Sequence, residues 1–156
     1  MSTKRLLEAA FIAAIYAVLT VALSPISYGV FQVRIAEALT VLPMFTPAAI
    51  PGLFVGCLLS NLISPIGLVD MICGSLATLA AASCSYFLRK KPLLVPLPPV
   101  IVNGVVIGLM LRYVYAVPLS AFACMCWVAL GELAACYVIG YPLGRYLEKH
   151  GKSFRK

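Results

Sequence analysis

Charge is scarce in this 156-residue chain, where Asp, Glu, Lys and Arg make up 11% of the residues against roughly 25% in a soluble domain. The five acids are Glu8, Glu37, Asp70, Glu132 and Glu148, and stretches 9–33, 38–69, 71–88, 92–111 and 113–131 carry no charge at all. A water-soluble globule is excluded. Also missing is any block of mixed polarity of about 100 residues, the size that a catalytic or ATP-hydrolysing domain would need, so another chain must supply any energy the protein uses. Histidine is limited to His150, and no two of the six cysteines (Cys57, Cys73, Cys84, Cys124, Cys126, Cys136) are separated by the two-residue gap of a metal or redox motif. No nucleophile–base pair stands out. The chain therefore reads as a non-enzyme with no cofactor and no metal, its cysteines being buried apolar thiols.

What is present is apolar length: 63% of the residues are hydrophobic. A hydrocarbon core about 30 Å thick takes about 20 helical residues per crossing, so several crossings fit and the class is an all-α integral membrane protein with one membrane domain, 1–156. The net charge of +7 could mark a nucleic-acid binder, but the bases border apolar runs. Lys4 and Arg5, then Arg89, Lys90 and Lys91, then Arg145, Lys149, Lys152, Arg155 and Lys156 hold ten of the twelve bases. Basic loops stay cytoplasmic, so an even number of helices separates consecutive clusters. Four crossings fit before Arg89 and two after Lys91, giving six transmembrane helices with both termini cytoplasmic, a multi-pass cell-membrane protein that contacts lipid and no nucleic acid. The first apolar stretch is too long for a signal peptide.

Along the chain, helix 1 runs from about Lys4 to Ala22, with Ala9, Ala13 and Ala17 at four-residue intervals and Ala10 and Ala14 beside them. Such a stripe lets backbones approach closely, inside the protein or against a partner. Ser24-Pro25 ends it, and an outer loop holds Tyr28-Gly29. Helix 2 starts near Val33 and reaches only about Leu42. Helix 3 covers about Pro47 to Leu62 with Gly52-x-x-x-Gly56. The turn Ser64-Pro65-Ile66-Gly67 leads to helix 4, about Leu68 to Phe87. Helix 5 follows Pro92, Pro96, Pro98 and Pro99 and ends near Tyr115, and helix 6 follows Pro118.

Polar residues left over in the apolar runs point to a site. Arg34, Glu37, Asp70 and Arg112 fall on the outer side of a six-helix arrangement, Asn61 at the outer end of helix 3, and Glu132 midway along helix 6. An ionisable group at that depth costs at least about 2.5–3.5 kcal/mol and faces a partner or a wet cavity. Structural alternatives are an Arg34–Glu37 pair one helical turn apart, capping by Asp70 and an interhelical hydrogen bond from Asn103. Together with Trp127, Tyr113 and Tyr115 these residues predict an outward-opening cavity for a small polar molecule. A stand-alone ion-coupled carrier for a small flat heterocycle or vitamin, with Glu132 as its proton site, is the other reading of the same residues.

The segment Phe31-Gln32-Val33-Arg34-Ile35-Ala36-Glu37-Ala38-Leu39-Thr40-Val41-Leu42-Pro43, continued by Thr46-Pro47 to Gly56-Cys57, and Asp70 followed by Gly74-Ser75-Leu76-Ala77-Thr78-Leu79, resemble the QueT family. The resemblance implies a substrate-binding S component of an energy-coupling factor (ECF) uptake transporter for queuosine precursors. The implied partners are a transmembrane coupling protein and two cytoplasmic ATPases, and the implied mechanism is toppling of the S component in the membrane. It also implies that the Ala9, Ala13 and Ala17 face docks on the coupling protein. A 7-deazaguanine such as queuine or preQ1 offers N–H and NH2 donors side by side to a carboxylate and a carbonyl to an amide or Arg, and an aromatic can stack on its flat base. Arg34, Glu37, Asn61, Asp70, Asn103, Trp127 and Glu132 are the substrate-binding candidates.

Overall fold

A computed structural model of the protein describes residues 2–27, 33–62 and 67–150, and every element among them is helical. In order these are α1 (Thr3–Ala22), a single turn α2 (Ser24–Ser27), a 3-10 helix (Ile35–Met44), α3 (Ala49–Leu62), α4 (Leu68–Phe87), α5 (Leu97–Tyr113), α6 (Ala121–Leu133), a π-helical stretch (Ala134–Gly140) and α7 (Tyr141–His150). The loop at Tyr28-Gly29, the motif residues Phe31 and Gln32, the turn at Ser64-Pro65-Ile66 and the tail bases Lys152, Arg155 and Lys156 lie outside the described residues.

Among the described residues three helical spans are long and apolar enough to cross a membrane: Thr3–Ala22, Leu68–Phe87 and the continuous Ala121–His150. The exterior is apolar, with Leu7, Phe87 and Phe122 more than 70% exposed, while Arg34, Glu37, Asp70 and Glu132 are buried. That inversion suits a lipid solvent, in which exposed hydrocarbon carries no penalty and polar groups turn inward.

Helix α1 packs on α3, α3 on α4, α4 on α5 and α5 on α6. The α1–α3 approach depends on small residues from both helices: a Cβ added at Gly52 would sit 2.8 Å from the Ala9 carbonyl oxygen, and one at Gly56 2.9 Å from that of Ala13. Ala9 and Ala13 are accordingly buried. Their stripe is engaged inside the protein, whereas Ala10 and Ala14 of the neighbouring stripe are exposed and Ala17 is half-buried. Of the docking face expected at Ala9, Ala13 and Ala17, the first two residues meet α3 within the chain.

The second helix differs from an ordinary α-helix. Its ten residues are 3-10, although such runs rarely exceed three or four residues. Pro43 lies inside it, lacks an N–H and would clash with the carbonyl four residues back in an α-helix. The Thr40 hydroxyl also donates to the Glu37 carbonyl, three residues back, at 2.6 Å. This segment packs on the π-helical stretch so closely that a Cβ at Gly140 would lie 2.9 Å from the Ala38 oxygen. Two non-α segments thus meet where Glu37 and Glu132 are held.

Candidate functional site

Arg34 precedes the 3-10 helix, and its position is fixed from α4: Nη2 lies 3.2 Å from Oδ2 of Asp70. The partner of Arg34 in this pair is therefore Asp70 and not Glu37. Asp70 sits in the first turn of α4, but the N-cap of that helix is Gly67, with no side-chain cap. Gly67 has φ +99°, a left-handed conformation that favours glycine, and Asp70, three residues on, is buried. Asn61, at the end of α3, donates to the Asp70 backbone carbonyl at 3.1 Å.

The cluster continues through residues that carry no formal charge. Cys57 Sγ accepts from Arg34 Nη1 at 3.7 Å, from Asn61 Nδ2 at 3.5 Å and from Thr78 Oγ1 at 3.4 Å. Thr78 also reaches Glu37 Oε1 at 3.5 Å, and the Tyr16 hydroxyl of α1 donates to the same oxygen. On the far side Cys136 Sγ, within the π-helical stretch, lies 3.5 Å from the Glu37 carbonyl oxygen and 3.7 Å from Glu132 Oε2. Asn103 Nδ2 of α5 donates to Glu132 Oε1 at 3.0 Å. Arg34, Glu37, Asn61, Asp70, Asn103 and Glu132 thereby form one buried network that reaches α1, the 3-10 helix, α3, α4, α5, α6 and the π-helical stretch.

Trp127 is 40% exposed, whereas Cys124, Val128 and Glu132 of α6 are buried. Five residues separate Trp127 from Glu132, about 140° round an α-helix, so the two side chains leave α6 in different directions. Tyr113 is 75% exposed, and Arg112 is exposed and donates to the Val117 carbonyl. Tyr115, in the turn after α5, does border the cluster: burial, with the Asp70 charge nearby, pushes its phenol up to about 12.

Tyr16, Thr40, Cys57, Thr78 and Cys136 join the site without having been singled out in the sequence. The cysteines are divided, Cys57 and Cys136 being buried among polar groups and Cys84 and Cys126 exposed. Among the described residues no three His, Cys, Asp or Glu side chains converge to hold a metal ion.

Among the described residues the charged side chains of the network are shielded from the exterior, Glu37 and Asp70 being 0% exposed and Arg34 4%. The packing leaves polar atoms unused, among them the hydroxyls of Ser27 and Tyr115 and four oxygens of the network. Glu37 Oε2, Asp70 Oδ1, Asn61 Oδ1 and Asn103 Oδ1 have no hydrogen-bond partner among the described residues. All four are acceptors, and a buried polar atom left unpaired costs about 1–3 kcal/mol. Such a set can receive a ligand rich in N–H groups.

A family model described as QueT transporter matches residues 6–149. The chain is 38% identical over 84 residues to the queuosine precursor transporter QueT of Lactococcus lactis subsp. cremoris (strain MG1363), an alignment covering 53% of this chain and 49% of that protein. It thus spans about half the length of the curated relative it matches. The family and the relative are transporters, not enzymes. No solved structure matches the chain.

Proposed function

The chain belongs to the QueT transporter family, and from that premise we propose that it is the membrane-embedded, substrate-binding S component of an ATP-driven ECF uptake transporter for a queuosine precursor of the 7-deazaguanine type. It crosses the cell membrane six times with both termini cytoplasmic, and it works with a transmembrane coupling protein and two cytoplasmic ATPases. The observation that carries this reading is the buried set of unused acceptors, Glu37 Oε2, Asp70 Oδ1, Asn61 Oδ1 and Asn103 Oδ1, inside a helical bundle with an apolar exterior. A 7-deazaguanine carries ring N–H and amino donors to match them, and Arg34 is a donor for its carbonyl oxygen.

The chain offers no block of polar residues that could hydrolyse ATP, so transport energy enters through contact with the coupling protein. The exposed small residues Ala10 and Ala14 of α1 are suited to that contact, since small residues let helices approach closely within lipid. Opening of the closed cluster to admit substrate belongs to the same cycle.

Two measurements test the proposal. The purified chain should bind queuine or its simpler base precursors on its own, and cells should accumulate them only when the coupling protein and ATPases are co-expressed. Uptake driven by this chain alone would favour a stand-alone carrier. Absence of binding by the folded chain would overturn the substrate assignment.

A further inference from the structure

Helix α1, the 3-10 helix and α7 border a partly open cavity of about 270 Å³ that shares no residue with the buried network. Its walls are Phe11 and Ile15 of α1, Leu39 and Leu42 of the 3-10 helix, and Leu143 and Leu147 of α7. Phe11, 68% exposed, stands at its edge. The polar groups at its margin are spent on each other, the Thr46 hydroxyl donating to Glu8 Oε2 at 3.0 Å, and the surface facing the cavity is apolar. Water gains little there, because a buried water needs about 2–4 polar partners. Left empty, the space would forfeit the dispersion contacts of every side chain around it. Within a bilayer the neighbour that can enter through the opening is a hydrocarbon chain.

The same two helices carry bases just beyond the cavity. Lys4 lies one helical turn before Glu8 on α1, with Arg5 next to it, and Lys149 follows two residues after Leu147 on α7. All three are exposed. Among the described residues none of them has an ion-pair partner, whereas Arg145 is taken by Glu148 at 2.7 Å. The positive-inside rule puts both helix ends at the cytoplasmic surface, where the head groups of anionic lipids attract Lys and Arg. We propose that the cavity between α1, the 3-10 helix and α7 seats one acyl chain of an anionic phospholipid of the inner leaflet, whose phosphate is held by Lys4, Arg5 and Lys149. Apolar walls alone would accept the tail of any lipid, and the unpaired bases select the head group, each being worth roughly fivefold in affinity. Recognition of both ends of one molecule separates this seat from the general lipid coat of an apolar exterior. It is independent of which substrate the buried network binds.

Native mass spectrometry of the full chain released from mild detergent tests this with phosphatidylglycerol and phosphatidylcholine carrying the same acyl chains. The wild type should bind its first phosphatidylglycerol at least roughly fivefold more tightly than phosphatidylcholine. Lys4→Gln combined with Arg5→Gln should remove most of that preference and leave phosphatidylcholine binding unchanged. Ile15→Trp, which fills the cavity from α1, should weaken the first lipid of either kind. Leu143→Trp should do the same from α7, giving a second variant if the first melts at low temperature. Equal affinity for the two lipids, the absence of a discrete first lipid, or a first phosphatidylglycerol untouched by both cavity-filling variants overturns the site. A photoreactive benzoylphenylalanine in place of Leu143, in cells that express the whole transporter, decides between occupants: attachment of a phospholipid mass supports the seat, and attachment of a protein chain overturns it.

Discussion

Arg34 and Asp70, thirty-six residues apart, form a 3.2 Å ion pair between the start of the 3-10 helix and the first turn of α4, with both side chains almost wholly buried. Breaking one half of such a pair leaves an uncompensated buried charge and costs about 3–5 kcal/mol, while replacing both halves with apolar groups of similar volume is often neutral. Asp70→Asn should therefore lower the melting temperature of the purified chain sharply. The double variant Arg34→Met, Asp70→Leu should recover most of that loss and still fail to bind substrate. Recovery of binding along with stability would show that the pair only holds the fold.

A second prediction concerns the two alanine stripes of α1. Ala13 meets Gly56 so closely that a Cβ on the glycine would lie 2.9 Å from the Ala13 carbonyl oxygen, so Ala13→Trp should overpack the α1–α3 contact and cost at least about 1–3 kcal/mol, reducing stability and substrate binding together. Ala14 is exposed, and Ala14→Trp should leave melting and binding of the isolated chain unchanged while abolishing uptake by cells that express the whole transporter. Unimpaired uptake by Ala14→Trp would remove α1 from the docking surface.

These two stripes show where sequence reasoning reaches its limit. Ala9, Ala13 and Ala17 share the spacing of Ala10 and Ala14, and nothing in α1 itself says which row meets Gly52 and Gly56. The burial of Arg34, Glu37, Asp70 and Glu132 was legible because they interrupt apolar runs where an isolated charge is expensive, and α4 was legible to the residue at both ends, Leu68 and Phe87. Tyr16, Cys57, Thr78 and Cys136 were not, since such side chains are ordinary in a membrane helix and become part of a site only through their neighbours. For Trp127, composition says that an aromatic is available but not which side of α6 it occupies. The 3-10 segment carries a local mark in Pro43, but its contact with the π-helical stretch joins residues about a hundred positions apart, which neither stretch encodes alone.

The third prediction addresses topology. Lys90 and Pro118 are both exposed, in the turns after α4 and α5, and the positive-inside rule places the Arg89-Lys90-Lys91 cluster in the cytoplasm. In a background lacking Cys73, Cys84 and Cys126, a cysteine introduced at Lys90 should be shielded from an impermeant thiol reagent in intact cells and should label after permeabilisation. A cysteine at Pro118 should label from outside. The reverse pattern would invert the proposed orientation, and labelling of both from outside would break the six-crossing arrangement between them.

The fourth prediction isolates the least conspicuous member of the network. Cys57 Sγ lies at the junction of Arg34, Asn61 and Thr78. Asn61, Thr78 and Arg34 have further acceptors, at the Asp70 carbonyl, Glu37 Oε1 and Asp70 Oδ2, so loss of the sulfur loosens the orientation of all three without removing their other bonds. An intramolecular hydrogen bond contributes about 0.5–1.5 kcal/mol net, and Cys57→Ala should weaken substrate binding by roughly 2- to 10-fold. Cys57→Ser keeps an acceptor at the same place and should retain most of the affinity. If serine and alanine have the same effect, the thiol acts by filling space, and the link it makes between the Arg34–Asp70 pair and Glu37 carries no recognition.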